Sequence, residues 1–253
     1  MRTRKMWEMT WAEVDHAIKD DMGIMLPVGS VEQHGLHLPL SVDFLIPTEL
    51  CLEIADQVNM IVAPPITYGT HSRPLSGGGQ TFVGTTSIRA ISFINQVEDI
   101  IREFIRQGFK KIVLFNWHME NSHFLYEAAF TATDRGTNKD VKVLVMETPF
   151  SSFDEETMDF LYPDGFPGWG LEHAAMFETS IMMHIAPELV QFDLATDDGP
   201  AENPFYDVIP IDERFVAKSG SLWKASLATK EKGERIWREL LKELVPIVKN
   251  EFR

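Results

Sequence analysis

Four short, almost wholly apolar runs punctuate the chain: GIMLPVG at 23–29, MIVAPPI at 60–66, KIVLFN at 111–116 and VKVLVME at 141–147. Runs of that length without polar alternation fit strands buried on both faces, the pattern of a parallel sheet. Between them, apolar positions recur at helical spacing over Pro47–Val58, Ser87–Gln107 and Ser122–Arg135, the last two stopped by Gly108 and Gly136. Further helices are predicted over Leu171–Ile185 and Lys230–Phe252, and an amphipathic one begins within MRTRKMWEMTWAEV. The triplet Thr85-Thr86-Ser87 reads as the N-cap of the long third helix. Strands alternating with helices that end on glycine imply βαβ units. The expected fold is therefore one α/β domain over 1–253, with a mostly parallel sheet between helical layers.

That layout says where chemistry belongs, because open parallel sheets bind ligands beyond the carboxyl ends of their strands. Two strands run straight into polar sequence there: SVEQHGLH follows the first and WHMENSH follows the third. Glu32 and His34 are two apart, a spacing that puts both on one side of extended chain. His118 and Glu120 repeat the spacing in reverse order, and Asp43 adds a further carboxylate. Taken alone, either stretch reads equally well as a solvated loop. Together, three carboxylates brought close repel one another unless cations compensate. Two divalent ions leave about one positive charge, which a hydroxide offsets, as in two-metal hydrolytic centres. Mixed nitrogen and oxygen donors favour Zn²⁺ or Mn²⁺ over Ca²⁺ or an iron–sulfur cluster.

Charge narrows the partners. The 253 residues carry a formal net charge of −15, which repels phosphate backbones and anionic lipid and argues against nucleic acid or a membrane surface. No apolar run reaches the eighteen or so residues of a membrane span, and the N-terminus lacks an apolar leader core. The lone cysteine, Cys51, excludes an internal disulfide and fits a reducing cytoplasm. A small-molecule substrate is the remaining expectation.

Two more stretches carry candidate chemistry. In GWGLEHAAMFETS, His173 stands near a predicted helix start beside Glu172, with Trp169 before it and Glu178 after it. A histidine there suits proton delivery to a leaving nitrogen, and serves equally well as a capping or packing residue. Trp169 is either core or a cover over a planar substrate. SGGGQTFVGTTS offers three glycines that permit close backbone approach, but it matches neither a P-loop nor a dinucleotide fingerprint. Of the other histidines, His16 and His184 read as structural, His37 and His123 as partners behind a ligand, and His71 as a wall of the pocket.

In this order, PVGSVEQHGLHLPLSVD, SGGGQTFVGTTS, NWHMENS and GWGLEHAAMFETS resemble the creatininase (creatinine amidohydrolase) family, and the likeness continues through ENPFYDVIPID and GSLWKASLATKEKGE. The resemblance implies a three-layer α/β/α fold, two divalent ions (Zn²⁺ and/or Mn²⁺) per chain, a homohexamer, and hydrolysis of a C–N bond in a small, often cyclic amide. It implies metal ligation by Glu32, His34, Asp43, His118 and Glu120, with Asp43 bridging. It also implies catalysis by His173, with Glu172 and Glu120 as further catalytic candidates and Trp169 covering the substrate. Ser76, Gly77, Gly78, Met119 and Glu178 are the other expected substrate contacts. Three positions depart from the family pattern. Met119 stands where the creatinine-cleaving members carry Tyr, Gly170 where an acid is expected, and Pro149-Phe150 where a second tryptophan is expected. Creatinine hydrolysis to creatine is the leading expectation. Cleavage of another cyclic or formylated amide is the alternative, and a non-catalytic metal-binding hexamer the third.

Overall fold

The computed structural model describes residues 1–147, 153–199, 202 and 204–253. Four parallel strands, β1 (Gly23–Val28), β2 (Met60–Val62), β3 (Lys111–Asn116) and β4 (Lys142–Met146), form a sheet of order β2-β1-β3-β4. Registers from Ile24↔Ile112 to Val28↔Asn116 bring the carboxyl ends of β1 and β3 level. The chain leaves β1 to one side for β2 and returns to the other side for β3. The seam between β1 and β3 is thus the point where strand order reverses, and a crevice opens there. β2 is shorter than its apolar run because Pro64 and Pro65 offer no amide hydrogen to a ladder. The carbonyl of Pro27 faces Ile66 N on that same side, so the amide hydrogen missing from β1 falls where pairing has already lapsed.

Successive side chains of one strand point to opposite faces, which builds two cores. Met25, Val113 and Phe115 pack with α2 (Val42–Gln57), α6 (Met176–Ile185) and α7 (Lys230–Glu251), with Leu161 of α5 (Glu155–Leu161) alongside. Ile24, Leu26, Ile112 and Leu114 pack with α1 (Trp11–Lys19), α3 (Ala90–Gln107) and α4 (Ser122–Ala132). The α/β/α sandwich expected from the apolar pattern is the architecture found. No helix among the described residues is long and apolar enough to cross a membrane.

Three helix starts differ from the pattern. α2 starts at Val42 rather than Pro47, so Asp43 lies in a helical first turn and not in a loop. Pro47 resembles a helix-start signal, yet inside the helix it merely leaves one carbonyl, that of Asp43, without its usual amide partner. The same carbonyl sits so close to Gly29 that a Cβ there would fall 2.2 Å from it, so only glycine lets α2 begin at this point. α6 starts at Met176 rather than Leu171, because residues 169–171 wind a 3-10 turn and Ala174 adopts a left-handed φ of 50°. α3 starts at Ala90, with Arg89 at its N-cap and no side-chain cap. The hydroxyls of Thr85 and Ser87 instead accept from Gln33 N and Gln80 Nε2.

Candidate metal centre

The strand ends set the geometry. Glu32 and His34 leave the β1 end, His118 leaves the β3 end two residues after Asn116, and the first turn of α2 carries Asp43 over them. All four are at least 97% buried. The turns beneath them are held by Asn121, whose side chain accepts from Thr70 N at 2.9 Å and donates to Gly29 O at 3.1 Å. Asn116 Nδ2 donates to His118 O at 2.7 Å.

Each imidazole has one nitrogen spent on backbone. His34 Nδ1 lies 3.2 Å from Glu32 O and His118 Nε2 lies 3.1 Å from Thr70 O, so both act as N–H donors to carbonyls. The opposite nitrogens face carboxylates. His118 Nδ1 is 3.0 Å from Glu32 and 3.2 Å from Asp43, and His34 Nε2 is 3.2 Å from Asp43 and 3.6 Å from Glu178. Glu178 is fixed in turn by Trp117 Nε1 at 3.0 Å and Ala174 N at 2.8 Å. One donor atom each from Glu32, Asp43 and His118 converge within 4.8 Å, and so do those from His34, Asp43 and Glu178. Asp43 belongs to both of these buried sets, and a third group joins Glu32 and His34 to His173.

This donor chemistry fits divalent ions. A ligating histidine is typically oriented by its other N–H on a carbonyl, as both are here. Glu32 Oε1, His34 Nε2 and Asp43 Oδ2 are buried without a hydrogen bond among the described residues, where such atoms are ordinarily paired. Burial disfavours a charged His34, but Asp43, Glu178 and Glu32 outweigh it and push its imidazole up to about 10. His118 is raised the same way, against its own burial, by Glu32 and Asp43. Burial opposes ionisation of Glu32 and Asp43, yet the facing imidazoles lower both. Ligand sets of this kind give up their protons to bind metal.

Glu120 stands apart from both sets. Ser76 Oγ and Arg73 N donate to its Oε1, and Oε2 lies 3.5 Å from the outer nitrogen of His118. Glu178, expected beside the substrate, lines the cavity and also stands among the converging donors. The glycine run works by close approach: a Cβ on Gly77 would fall 2.6 Å from the His173 ring, and one on Gly79 2.6 Å from Glu32 Oε1. Gly79 was not among the expected site residues, although its place in the run was the available signal.

A cavity of about 220 Å³ opens above this floor. His173 lines it, its ring 4.3 Å from that of His34. Trp169 lines it as well, braced edge-on by Phe166 at 4.6 Å and Phe177 at 5.3 Å, so the tryptophan is packed and still faces the opening. Glu172 accepts from Phe177 N at 3.0 Å, and its burial raises its carboxyl to about 7. Met119, Gly170 and Ser76 contribute to the mouth, with Met119 57% exposed. Gly78, with a left-handed φ of 63°, turns the loop beside them. His71 and His123 are exposed and do not line the cavity, whereas buried His37 bonds Thr179 Oγ1 at 2.8 Å behind the site.

A family model described as Creatinine amidohydrolase matches residues 7–248. The chain belongs to the creatininase family. It is 39% identical over 249 residues to creatinine amidohydrolase of Pseudomonas putida, spanning 97% of this chain and 96% of that protein. It is 29% identical to a mycofactocin precursor peptide peptidase of Mycobacterium ulcerans, over 88% and 82% of the two chains. A solved creatininase variant complexed with creatine superposes at a TM-score of 0.94, with 38% identity and 99% of both chains covered. A manganese form matches at 0.94 with 99% of both chains covered, and a Zn–Zn form at 0.95 with 100% of this chain and 99% of the other, each at 38% identity. Against the creatininase pattern, the departures at Met119 and Gly170 fall at the cavity mouth. Pro149 and Phe150 lie outside the described residues.

Proposed function

We propose that this chain, as a single domain over residues 1–253, is a metal-dependent amidohydrolase that opens the ring of creatinine to give creatine. The observation that carries the reading is the sharing of Asp43 between two buried donor sets on the floor of a cavity lined by His173. Glu32, Asp43 and His118 would hold one divalent ion, and His34, Asp43 and Glu178 the other. The manganese and Zn–Zn creatininase structures support Mn²⁺ or Zn²⁺. Bound there, the ions supply Lewis acidity and lower the pKa of water.

The protein's own groups do the rest. Trp169 and Phe177 offer flat apolar walls that seat a planar ring and keep bulk water from its amide. Water adds across that amide: its oxygen joins the carbonyl carbon, the ring C–N bond breaks, and one proton passes to the departing nitrogen. His173 is placed to carry this proton, and Glu120, beside the outer nitrogen of His118, to hold the second. Glu172, whose burial raises its carboxyl to about 7, lines the same cavity as His173.

Assay of the Mn²⁺- or Zn²⁺-loaded protein for creatine release at millimolar creatinine tests the reading, alongside metal analysis. The expected result is turnover with about two ions per chain. A second reading, hydrolysis of another small cyclic or formylated amide, is favoured by the mouth: Met119 is exposed, and a Cβ on Gly170 would meet nothing within 4 Å. Absence of creatine with turnover elsewhere in an amide panel selects it. Fewer than one ion per chain would favour a non-catalytic role. Exposed Phe205 and Ile209, at 100% and 93%, support a homo-oligomer, for which a hexamer is the proposal and sedimentation the check. The buried free thiol of Cys51 supports a cytoplasmic setting.

A further inference from the structure

Between the two proposed ligands of the first strand end stands a residue with no role so far. Gln33 is 4% exposed, and its side chain is fully committed. Its Oε1 accepts from Gly35 N at 2.9 Å, while its Nε2 donates to Gly77 O at 2.6 Å and Gly220 O at 3.0 Å. The reverse amide orientation would aim oxygen at two carbonyls and NH₂ at an N–H, so these partners fix which end is which. Gly220, at φ 86°, could carry no side chain here, because a Cβ would fall 1.8 Å from Gln33 Oε1.

His173 Nε2 lies 3.0 Å from Gln33 Nε2 and 3.0 Å from the Gln33 carbonyl. The amide has only two hydrogens and both go to backbone carbonyls, so it has none left for the imidazole. The carbonyl can only accept. A lone pair on His173 Nε2 would therefore face another lone pair, whereas an N–H there makes a sound bond. The proton belongs on Nε2.

We propose that Gln33 is a positioning residue for His173, its carbonyl fixing the Nε2–H tautomer and its amide pinning the Gly77 and Gly220 loops against the ring. Nδ1 is then the nitrogen free to take up and deliver a proton. This rests on the amidohydrolase reading for its consequence in turnover, but not for its structural content. The same residue that separates two proposed metal ligands thereby sets the tautomer of the proposed acid–base group.

Neutron diffraction from the metal-loaded wild-type protein in D₂O reads the tautomer whatever the substrate. A deuteron on His173 Nε2 is expected, and its absence overturns the proposal. Gln33→Met, close in shape and lacking both bonding partners, is then compared with wild type in the backgrounds of His173 and His173→Ala. The ion content and melting temperature are expected to hold, with kcat lowered about 10- to 100-fold and KM changed less than about threefold. In the His173→Ala background the same change is expected to add nothing, whereas an equal further loss marks a merely structural role and overturns the proposal. Where Gln33→Met does not fold, Gln33→Glu, which keeps the shape but exchanges the donor for an acceptor, takes its place with the same expected losses. Wild-type protein that carries the Nε2 deuteron yet releases no creatine sinks the creatinine assignment and leaves Gln33 in its role.

Discussion

The floor of the cavity and its mouth are built on different principles. The floor hangs on the ends of the two inner strands and the first turn of α2, its donors buried and its two imidazoles braced on backbone carbonyls. The mouth is made of loop residues that make few demands on their neighbours: exposed Met119, open Gly170, and Glu147 at the end of β4. Glu32, His34, Asp43 and His118 of the creatininase pattern meet at the floor, and the departures at Met119 and Gly170 fall at the mouth. In the proposed reading, reaction type and substrate choice reside in separable parts of one cavity, in keeping with precise sites on regular elements and adaptable ones on loops.

The sharpest way to break this division is at its most shared atom pair. Asp43→Asn is expected to empty both ion positions and lower activity on the order of 10³-fold or more, read by metal analysis and turnover. His173→Ala should cost about 10²- to 10⁴-fold in kcat while metal content stays unchanged, and full activity in that variant would remove its proton-transfer role. Chelation tests the floor through stability: ligand at about a thousand times its Kd contributes about 4 kcal/mol. For a chain of this size that is a fall in melting temperature of roughly 10 °C on ion removal, reversed by Zn²⁺ or Mn²⁺.

Changes at the mouth should be milder and of another kind. Met119→Tyr combined with Gly170→Asp is expected to shift KM for creatinine by about 10-fold with ion content constant, the scale of a few altered pocket contacts. Loss of ions in that pair of changes would show that mouth and floor are coupled. The smallest effect concerns Glu172 at the seam. Its folded carboxyl titrates near 7 because burial raises it, above its unfolded value. The folded state therefore holds that proton longer, and stability falls as pH rises from about 4.5 to about 7 and stays level beyond. Glu172→Gln retains an oxygen for Phe177 N and should remove roughly 1–3 kcal/mol of that decline, seen as denaturant midpoints that converge with wild type at pH 4 and exceed it at pH 8.

Much of the frame was legible because parallel strands buried on both faces leave unbroken apolar runs, and the helices between them end on glycine. The meeting of Glu32, His34 and His118 beyond the β1 and β3 ends followed from spacing and from where such sheets bind, whereas the spacing that paired Glu120 with His118 did not bring Glu120 into a donor set. What failed did so for local reasons. Pro47 imitates a helix start, which hid the turn that carries Asp43. The left-handed backbone at Ala174 interrupts a periodic stretch that reads as one helix, which hid the separation of His173 from α6. Glu178 was visible as an acid near that histidine, but its meeting with His34 joins residues 144 apart in the chain, and no local period encodes that. Gln33 was invisible for a related reason: its partners come from three distant loops.

One consequence follows from the sheet order. Because β1 and β3 are the inner strands, the groups just beyond their ends leave from the part of the sheet that is paired on both sides, which opens last. The mouth loops can fluctuate at far lower energy. In the proposed reading, substitutions are therefore better tolerated where substrate is chosen than where bonds are broken.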